Sequence, residues 1–198
     1  VSHNWMADIL YSSYGQRSFS KQYLQDFTLR TLGPSYHQDR VGYDAQEDTS
    51  LLYTGSGLDS KIDGSRVDNY STCAVMVNLY KELHIQAKQQ GHGIENILPV
   101  AGIDVGTLKR RLNSKKNLGA VIGKTGSLMN TKSLAGKLIT ANGDIYFGFF
   151  HQVNKKESYN AKIVQDFMVE ALMEQFGGSS PISYSRPSYF YPASKTIE

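Results

Sequence analysis

Lys124-Thr125-Gly126-Ser127 puts a cation, two small hydroxyls and a glycine directly after an apolar run, Ala120-Val121-Ile122. An ammonium beside a hydroxyl can hold a carboxylate through charge-assisted hydrogen bonds, and a glycine lets backbone lie close to a ligand. Near the other end, Ser2-His3-Asn4 places a hydroxyl and an amide two residues apart, just ahead of Trp5, Met6, Ile9, Leu10 and Tyr14 at helical spacing. Each set has a bland reading when taken alone: a solvated edge-strand lysine for the first, a helix N-cap for the second.

The elements that must position these residues follow from periodicity. After Lys124, residues 133–140 and 145–153 form two further β-leaning runs, and Asn142-Gly143 between them predicts a type I′ hairpin and an antiparallel meander. A second helix is expected from Ser18 or Ser20 through Tyr23, Leu24, Phe27 and Leu32 to Gly33-Pro34, followed by an exposed loop. Leu51, Leu52 and Tyr53 suggest a short strand, and Gly55-Ser56-Gly57-Leu58 a tight turn, since no Lys-Ser/Thr pair follows to make a phosphate cradle. Asp59, Asp63 and Gly64 match part of a calcium loop, but Lys61 and Tyr70 occupy positions where carboxylates are needed. Ser71 or Asn69 should cap a long helix carrying Ala74, Val75, Val77, Leu79 and Leu83. Leu98-Pro99-Val100-Ala101-Gly102 reads as a buried connector, with a helical turn over residues 107–112. Residues 159–176 predict an amphipathic helix presenting Ile163, Val164, Phe167, Met168, Ala171 and Leu172 to the sheet. The expected class is α/β (α+β), an antiparallel sheet flanked by helices, with residues 1–178 as one unit and 179–198 as a strap or flexible tail.

Composition bounds the function. With 198 residues, 40% hydrophobic and 20% charged, the chain has the makings of a globular domain with a sizeable core. No apolar run approaches the ~20 residues of a bilayer span, and the first residues lack the layout of a signal peptide. A net charge of +3 falls short of the dense basic stripe of a nucleic-acid reader. Lys109, Arg110, Arg111, Lys115 and Lys116 read as a solvated face. The single Cys73, placed on the core pattern of its helix, can form no intrachain disulfide; His3, His37, His84, His92 and His151 lack metal-ligand spacing. Neither a metal nor a cofactor is expected.

Taken in order, Ser2-x-Asn4, Gly55-Ser56-Gly57-Leu58, Leu98-Pro99-Val100-Ala101-Gly102 with Gly106-Thr107-Leu108, Lys124-Thr125-Gly126-Ser127 and Leu134-Ala135-Gly136 resemble one family. It is the D-Ala-D-Ala carboxypeptidases and endopeptidases of the low-molecular-mass class C penicillin-binding proteins, serine peptidase family S13. The resemblance runs from Ser2 to about Phe176. The superfamily's active-site set is Ser-x-x-Lys, Ser-x-Asn and Lys-Thr-Gly, and this sequence carries the last two in order. The resemblance implies a β-lactamase/DD-peptidase-like fold in which Ser2 and Asn4 share a groove with Lys124 and Thr125. By resemblance Ser2 relays a proton, Asn4 binds the acyl amide and Lys124 supplies positive potential. Thr125 takes the terminal carboxylate beside Gly126, and the Ser127 N–H donates to the oxyanion.

The departure is in the nucleophile. The family's Ser-x-x-Lys precedes Ser-x-Asn, whereas Ser18-Phe19-Ser20-Lys21 fits the pattern but follows it, and His3 stands where the family often has Asp. Covalent acyl transfer needs an activated nucleophile, and a three-stranded meander leaves an edge that sheets normally cover. The expectation is therefore an incomplete fold, completed by an N-terminal segment that carries the nucleophile. Peptidoglycan stem peptides and β-lactams are the implied partners, with no nucleic acid and no membrane span; the oligomeric state is open, a homo-oligomer included. The family places such a protein in the periplasm or outside the cell. The alternatives are a non-catalytic homologue that binds peptidoglycan or β-lactams without the nucleophile, and an interaction domain with a chance Lys-Thr-Gly.

Overall fold

The computed structural model describes residues 4–33, 36, 50–57, 61–154 and 156–184. The chain divides into two compact units, Val1–Leu79 and Tyr80–Glu198.

In the first unit, α1 (Asn4–Ser13) and α2 (Gln16–Leu32) are separated by Gly15, whose φ of +85° breaks the helical path. Phe27 and Leu24 of α2 are buried, whereas α1 buries none of its residues and leaves Trp5, Met6, Ile9 and Leu10 exposed, as is Tyr14 just past its end. The apolar spacing of α1 thus makes a helix without making a core.

Leu51 forms an isolated antiparallel bridge to Tyr70 instead of a strand. The following turn is built from side chains: Asn69 Oδ1 accepts from the N–H groups of Tyr53 (2.7 Å) and Thr54 (3.2 Å), and Asp8 Oδ1 accepts from Ser56 N–H (2.9 Å). A Cβ on Gly55 would run into the Ala7 carbonyl, so only glycine lets α1 and the turn approach. A two-residue hairpin, β1 (Lys61–Ile62) and β2 (Ser65–Arg66), turns through Asp63 and Gly64, both at positive φ.

Helix α3 (Cys73–Gln89) starts in the first unit and ends in the second. Its cap is Thr72, whose Oγ1 accepts from Val75 N–H at 3.2 Å, not Ser71 or Asn69. Cys73 occupies the first helical position and is exposed, not turned to the core.

The second unit is built on an antiparallel sheet in the order β3-β4-β5: β3 (Val121–Ser127), β4 (Thr131–Thr140) and β5 (Gly143–Gln152). Helix α4 (Ser158–Gln175) lies on one face, where Val169 and Met173 pack with Val121, Leu134, Leu138 and Phe147. On the other face Ile94, Val100 and Ile122 gather Leu83, Leu98, Ile139, Ile182 and Tyr184. Fully burying each aliphatic side chain of this kind contributes roughly 1.5–3 kcal/mol, so the central strand, covered on both faces, anchors the unit.

Two expectations are corrected here. Thr140 pairs with Gly143, so Ala141 and Asn142 form the hairpin tip, and only Gly143 (φ +117°) has positive φ, which rules out type I′. The tip is held from outside, by hydrogen bonds from Ala141 N–H to the Gly178 carbonyl (3.0 Å) and from Asn142 N–H to that of Phe176 (3.2 Å).

Helix α4 is also rotated from the expected face: it buries Ala161, Gln165, Val169 and Met173 and exposes Ile163, Val164, Phe167 (66%) and Met168. The polar Gln165 explains the rotation. Fully buried, its side chain donates to the Lys132 carbonyl (3.1 Å), meets His151 Nδ1 (3.2 Å) and accepts from Arg111 Nη2 (3.1 Å). Turning the helix to bury Phe167 would strand those groups unpaired.

Candidate active site

Alternation along β3 separates the two chemical residues. Val121 and Thr125 face α4, and Ile122 and Lys124 face the opposite side. The outer edge of β3 is covered only at its start: Ala101 N–H donates to the Val121 carbonyl (2.9 Å), and Gly123 N–H to that of Pro99 (3.0 Å). Residues 98–102 are thus the connector that closes the first half of the edge. The same parity turns the N–H groups of Thr125 and Ser127 outward, and no strand covers them among the described residues.

Lys124 is half-buried, and its ammonium donates to the Thr125 carbonyl at 2.8 Å. Burial pushes its pKa below the ordinary lysine range. The Thr125 hydroxyl shares a 2.5 Å hydrogen bond with the Thr107 hydroxyl. The segment around Thr107 is not helical; it is a run of turns ending at Leu112, a non-glycine residue at φ +51°. Gly126 is constrained by its neighbour strand, because a Cβ there would collide with Ser133 Oγ. Ser127 is exposed at the end of the strand.

Beside Thr125 lies a small cleft of about 40 Å³, lined by Thr107, Arg111, Lys132, Lys162 and Gln165 among others. Arg111 belongs to the run expected to be solvated, yet its side chain is only 12% exposed; it pairs with Asp166 (2.8 Å) and also donates to the Lys162 carbonyl (3.0 Å). Lys109 donates to the Gly102 and Ile103 carbonyls and Lys116 to Glu174, so the run splits into local fastenings. Hydroxyls, backbone donors and cations converge here, a set that can hold a carboxylate and stabilise a developing oxyanion.

The remaining sequence-derived residues belong to the first unit. Asn4 opens α1 and is exposed; Ser2 lies outside the described residues. Ser18 and Lys21 are exposed on α2, while Ser20 is buried and donates to the Leu52 carbonyl at 3.3 Å. Sequence reasoning placed Thr107 in a motif without a role, and passed over Lys132, Lys162 and Gln165. Nothing in the spacing of the last two distinguishes them, since the helix reads apolar at the positions between.

No curated protein sequence matches this chain significantly. A predatory peptidoglycan endopeptidase from Bdellovibrio bacteriovorus superposes with a TM-score of 0.75 at 24% identity, over 93% of this chain and 43% of its own. The same endopeptidase, acylated by penicillin G and in complex with an immunity protein, gives 0.76 at 23% identity, over 94% and 46%. Penicillin binding protein 4 from Haemophilus influenzae, in complex with a β-lactam, gives 0.54 at 25% identity, over 88% and 38%. The chain therefore spans less than half the length of each of these relatives. Its own mixed α/β fold, an antiparallel three-stranded sheet flanked by helices, superposes on theirs. A family model matches residues 1–175, and the chain belongs to the D-Ala-D-Ala carboxypeptidase 3 (S13) family.

Proposed function

We propose that this chain is part of a serine-type D-Ala-D-Ala carboxypeptidase/endopeptidase that acts on peptidoglycan stem peptides and is acylated by β-lactams. The observation that carries the reading is the second half of β3, uncovered among the described residues, where the Thr125 hydroxyl meets that of Thr107, the Ser127 N–H turns outward and Lys124 stands on the opposite face. Family membership and the β-lactam-bound relatives support it. Residues 1–178 act as the C-terminal part of a transpeptidase-like domain, followed by the tail, and the protein works in the periplasm or outside the cell, where peptidoglycan lies.

In this reaction a serine Oγ attacks the carbonyl of the penultimate D-Ala. The amide bond to the leaving amine breaks, the serine proton passes to that amine, and water then hydrolyses the ester to a free carboxylate. Thr125 holds the substrate's terminal carboxylate, and Gly126 keeps the strand slim beside it. The Ser127 N–H donates to the oxyanion of the tetrahedral intermediate, a contribution of about 2.7–4 kcal/mol for such donors. Lys124 supplies positive potential from the other face of β3. Ser2 relays the proton to the leaving amine, and Asn4 binds the acyl amide. The nucleophile comes from a Ser-x-x-Lys segment N-terminal to Ser2, which acts as the partner of this chain.

The test is a fluorescent penicillin added to the full-length protein. Label that survives denaturing electrophoresis, and whose rate of attachment falls at least about 100-fold in Lys124→Ala, supports the enzyme. A raised melting temperature with β-lactam but no covalent label identifies the binding homologue instead, because a ligand selective for the folded state must stabilise it. Neither label nor shift leaves only an interaction domain.

A further inference from the structure

Gln165 is fully buried, and both ends of its amide are bonded. The partners settle which end is which. Arg111 Nη2 can only donate, so the amide oxygen faces it (3.1 Å); the Lys132 carbonyl can only accept, so the amide nitrogen faces that (3.1 Å). The second N–H of the same nitrogen then meets His151 Nδ1 at 3.2 Å, and that ring nitrogen must offer its lone pair. In this arrangement His151 is the neutral imidazole with its proton on Nε2.

A proton on Nδ1 sets two donors against each other. Flipping the Gln165 amide to meet it would aim the oxygen at the Lys132 carbonyl and the nitrogen at Arg111, losing two bonds to regain one. His151 is partly exposed at the end of β5, whose outer edge no strand covers among the described residues, so the ring turns out to water instead. One N–H of a fully buried amide is then left unpaired. The charged groups on the elements packed against His151 do not hold the imidazolium in place. On β4, Lys132 stands opposite it in the register. On α4, Lys162 is a second cation, Asp166 is paired with Arg111 of the turn segment at 2.8 Å, and Glu157 just before the helix accepts from the Asn154 N–H (3.4 Å).

The change has a route to the site. Gln165, Arg111 and Thr107 line the cleft beside Thr125, and Arg111 belongs to the turn segment whose Thr107 hydroxyl bonds that of Thr125 at 2.5 Å. Asp166 keeps its grip on Arg111, so loss of the His151 bond shifts the turn without freeing it.

We propose that His151 is an acid-sensing positioning residue: unprotonated, its Nδ1 completes the bonding of Gln165 that sets Arg111 and the Thr107 hydroxyl, and a proton on that nitrogen withdraws the setting. The effect on acylation rests on the peptidase reading; the switch in geometry does not. Imidazole takes up its proton between about pH 8 and about pH 5, so acidification of the surroundings is the stimulus.

The test follows the His151 ring nitrogens and the methyl groups of Thr107 and Thr125 by NMR in the full-length protein across that range. At its alkaline end Nδ1 should be the unprotonated nitrogen, and on acidification both methyl shifts should move with the same midpoint as the ring. His151→Gln offers an acceptor that takes up no proton and should remove that movement, leaving the methyls at their alkaline positions. His151→Phe, with no acceptor, should hold them near their acid positions throughout. His84 bonds Tyr146 on the sheet face away from α4, so His84→Gln should leave the methyl titration in place. The rate of penicillin labelling should fall about threefold through the His151 midpoint, and the fall should vanish in His151→Gln. A proton on Nδ1 at the alkaline end, methyl titration that survives His151→Gln, or labelling at an unchanged rate through the midpoint overturns the positioning role. Coupled titration of ring and methyls in a protein that takes no penicillin keeps the switch and removes the peptidase reading.

Discussion

Arg111 Nη2 stands 2.8 Å from Asp166 Oδ1, and its Nε stands 3.0 Å from the same oxygen, so one guanidinium grips one carboxylate with two donors. This pair, with the bonds of Arg111 to Gln165 and to the Lys162 carbonyl, joins the turn segment that carries Thr107 to the helix that carries Lys162.

Removing Arg111 leaves the Asp166 carboxylate and the fully buried Gln165 amide short of donors. Arg111→Ala should lower unfolding free energy by about 2–4 kcal/mol, below the full cost of breaking a deeply buried pair because Asp166 is 29% exposed. Arg111→Lys should recover less than about half of that loss, since an ammonium cannot reproduce the planar fork. Urea unfolding of the three proteins measures it, and a cost under about 0.5 kcal/mol for Arg111→Ala would mean that the fastening lies elsewhere.

Lys124 predicts opposite trends for stability and for activity. Burial lowers its pKa in the folded state from the ordinary 10.5, so between the lowered value and 10.5 the unfolded chain binds more protons and stability rises with pH. Lys124→Met should abolish that rise and raise the melting temperature at neutral pH. In the proposed reaction the positive potential of Lys124 is lost over the same window, so the alkaline limb of penicillin acylation should fall below pH 10.5. Lys124→Arg should move that limb out of the accessible range, and a limb that stays put in this variant assigns the titration to another group.

Two glycines of the sheet should respond differently to a methyl group. At Gly136 an added Cβ meets the Ile122 carbonyl, which is backbone and cannot step aside; Gly136→Ala should cost about 2–3 kcal/mol. At Gly126 the obstacle is the Ser133 hydroxyl, so Gly126→Ala should cost less, and adding Ser133→Ala should restore most of its stability. Thermal denaturation of the double variant reports this directly, and additive losses would contradict it.

His84 and Tyr146 share a short hydrogen bond between Nδ1 and the phenol hydroxyl. Burial, then the Lys137 ammonium, holds the His84 pKa below 6.5. The folded state therefore binds fewer protons than the unfolded chain just below pH 6.5, and stability is lost as pH falls through that range. His84→Gln keeps a polar partner for Tyr146 and should flatten the decline in melting temperature between about pH 6.5 and about pH 5. An unchanged slope would place the acid sensitivity on the carboxylates.

The meander, its strand order and the glycine-lysine run were readable because strands announce themselves by local composition, as in Val121-Ile122 and residues 133–140. What was not readable depended on partners far along the chain. Asn142 looked like half of a type I′ turn, but the tip is positioned by carbonyls of Phe176 and Gly178. Ile163 and Phe167 looked like the packing face of α4 until Gln165, indistinguishable in sequence from any surface glutamine, fixed the helix rotation with three hydrogen bonds made by its buried side chain. The cap moved by one residue, from Ser71 to Thr72, within the usual uncertainty of helix starts. In the candidate site, Lys124 and Thr125 are neighbours in sequence, so one motif nominates both; that they address opposite faces follows from strand parity. The Thr107 contact depends on a chain of turns that ends at Leu112 with positive φ, a conformation no leucine advertises.

Beyond Gly178 the backbone continues past the sheet: Ser180 N–H donates to the Ile139 carbonyl (2.9 Å), Ile182 N–H to that of Gly119 (3.2 Å), and Tyr184 reaches the Asp104 carboxylate that also receives Val100 N–H. Ile182 and Tyr184 lie over Val100 and Ile122, so this short wrap acts as an outer latch on the connector that closes β3. Clipping the polypeptide before residue 182 would loosen β3 from behind, so purification handles belong after the latch, and exopeptidase nibbling up to it should leave the melting temperature unchanged until the latch itself is reached.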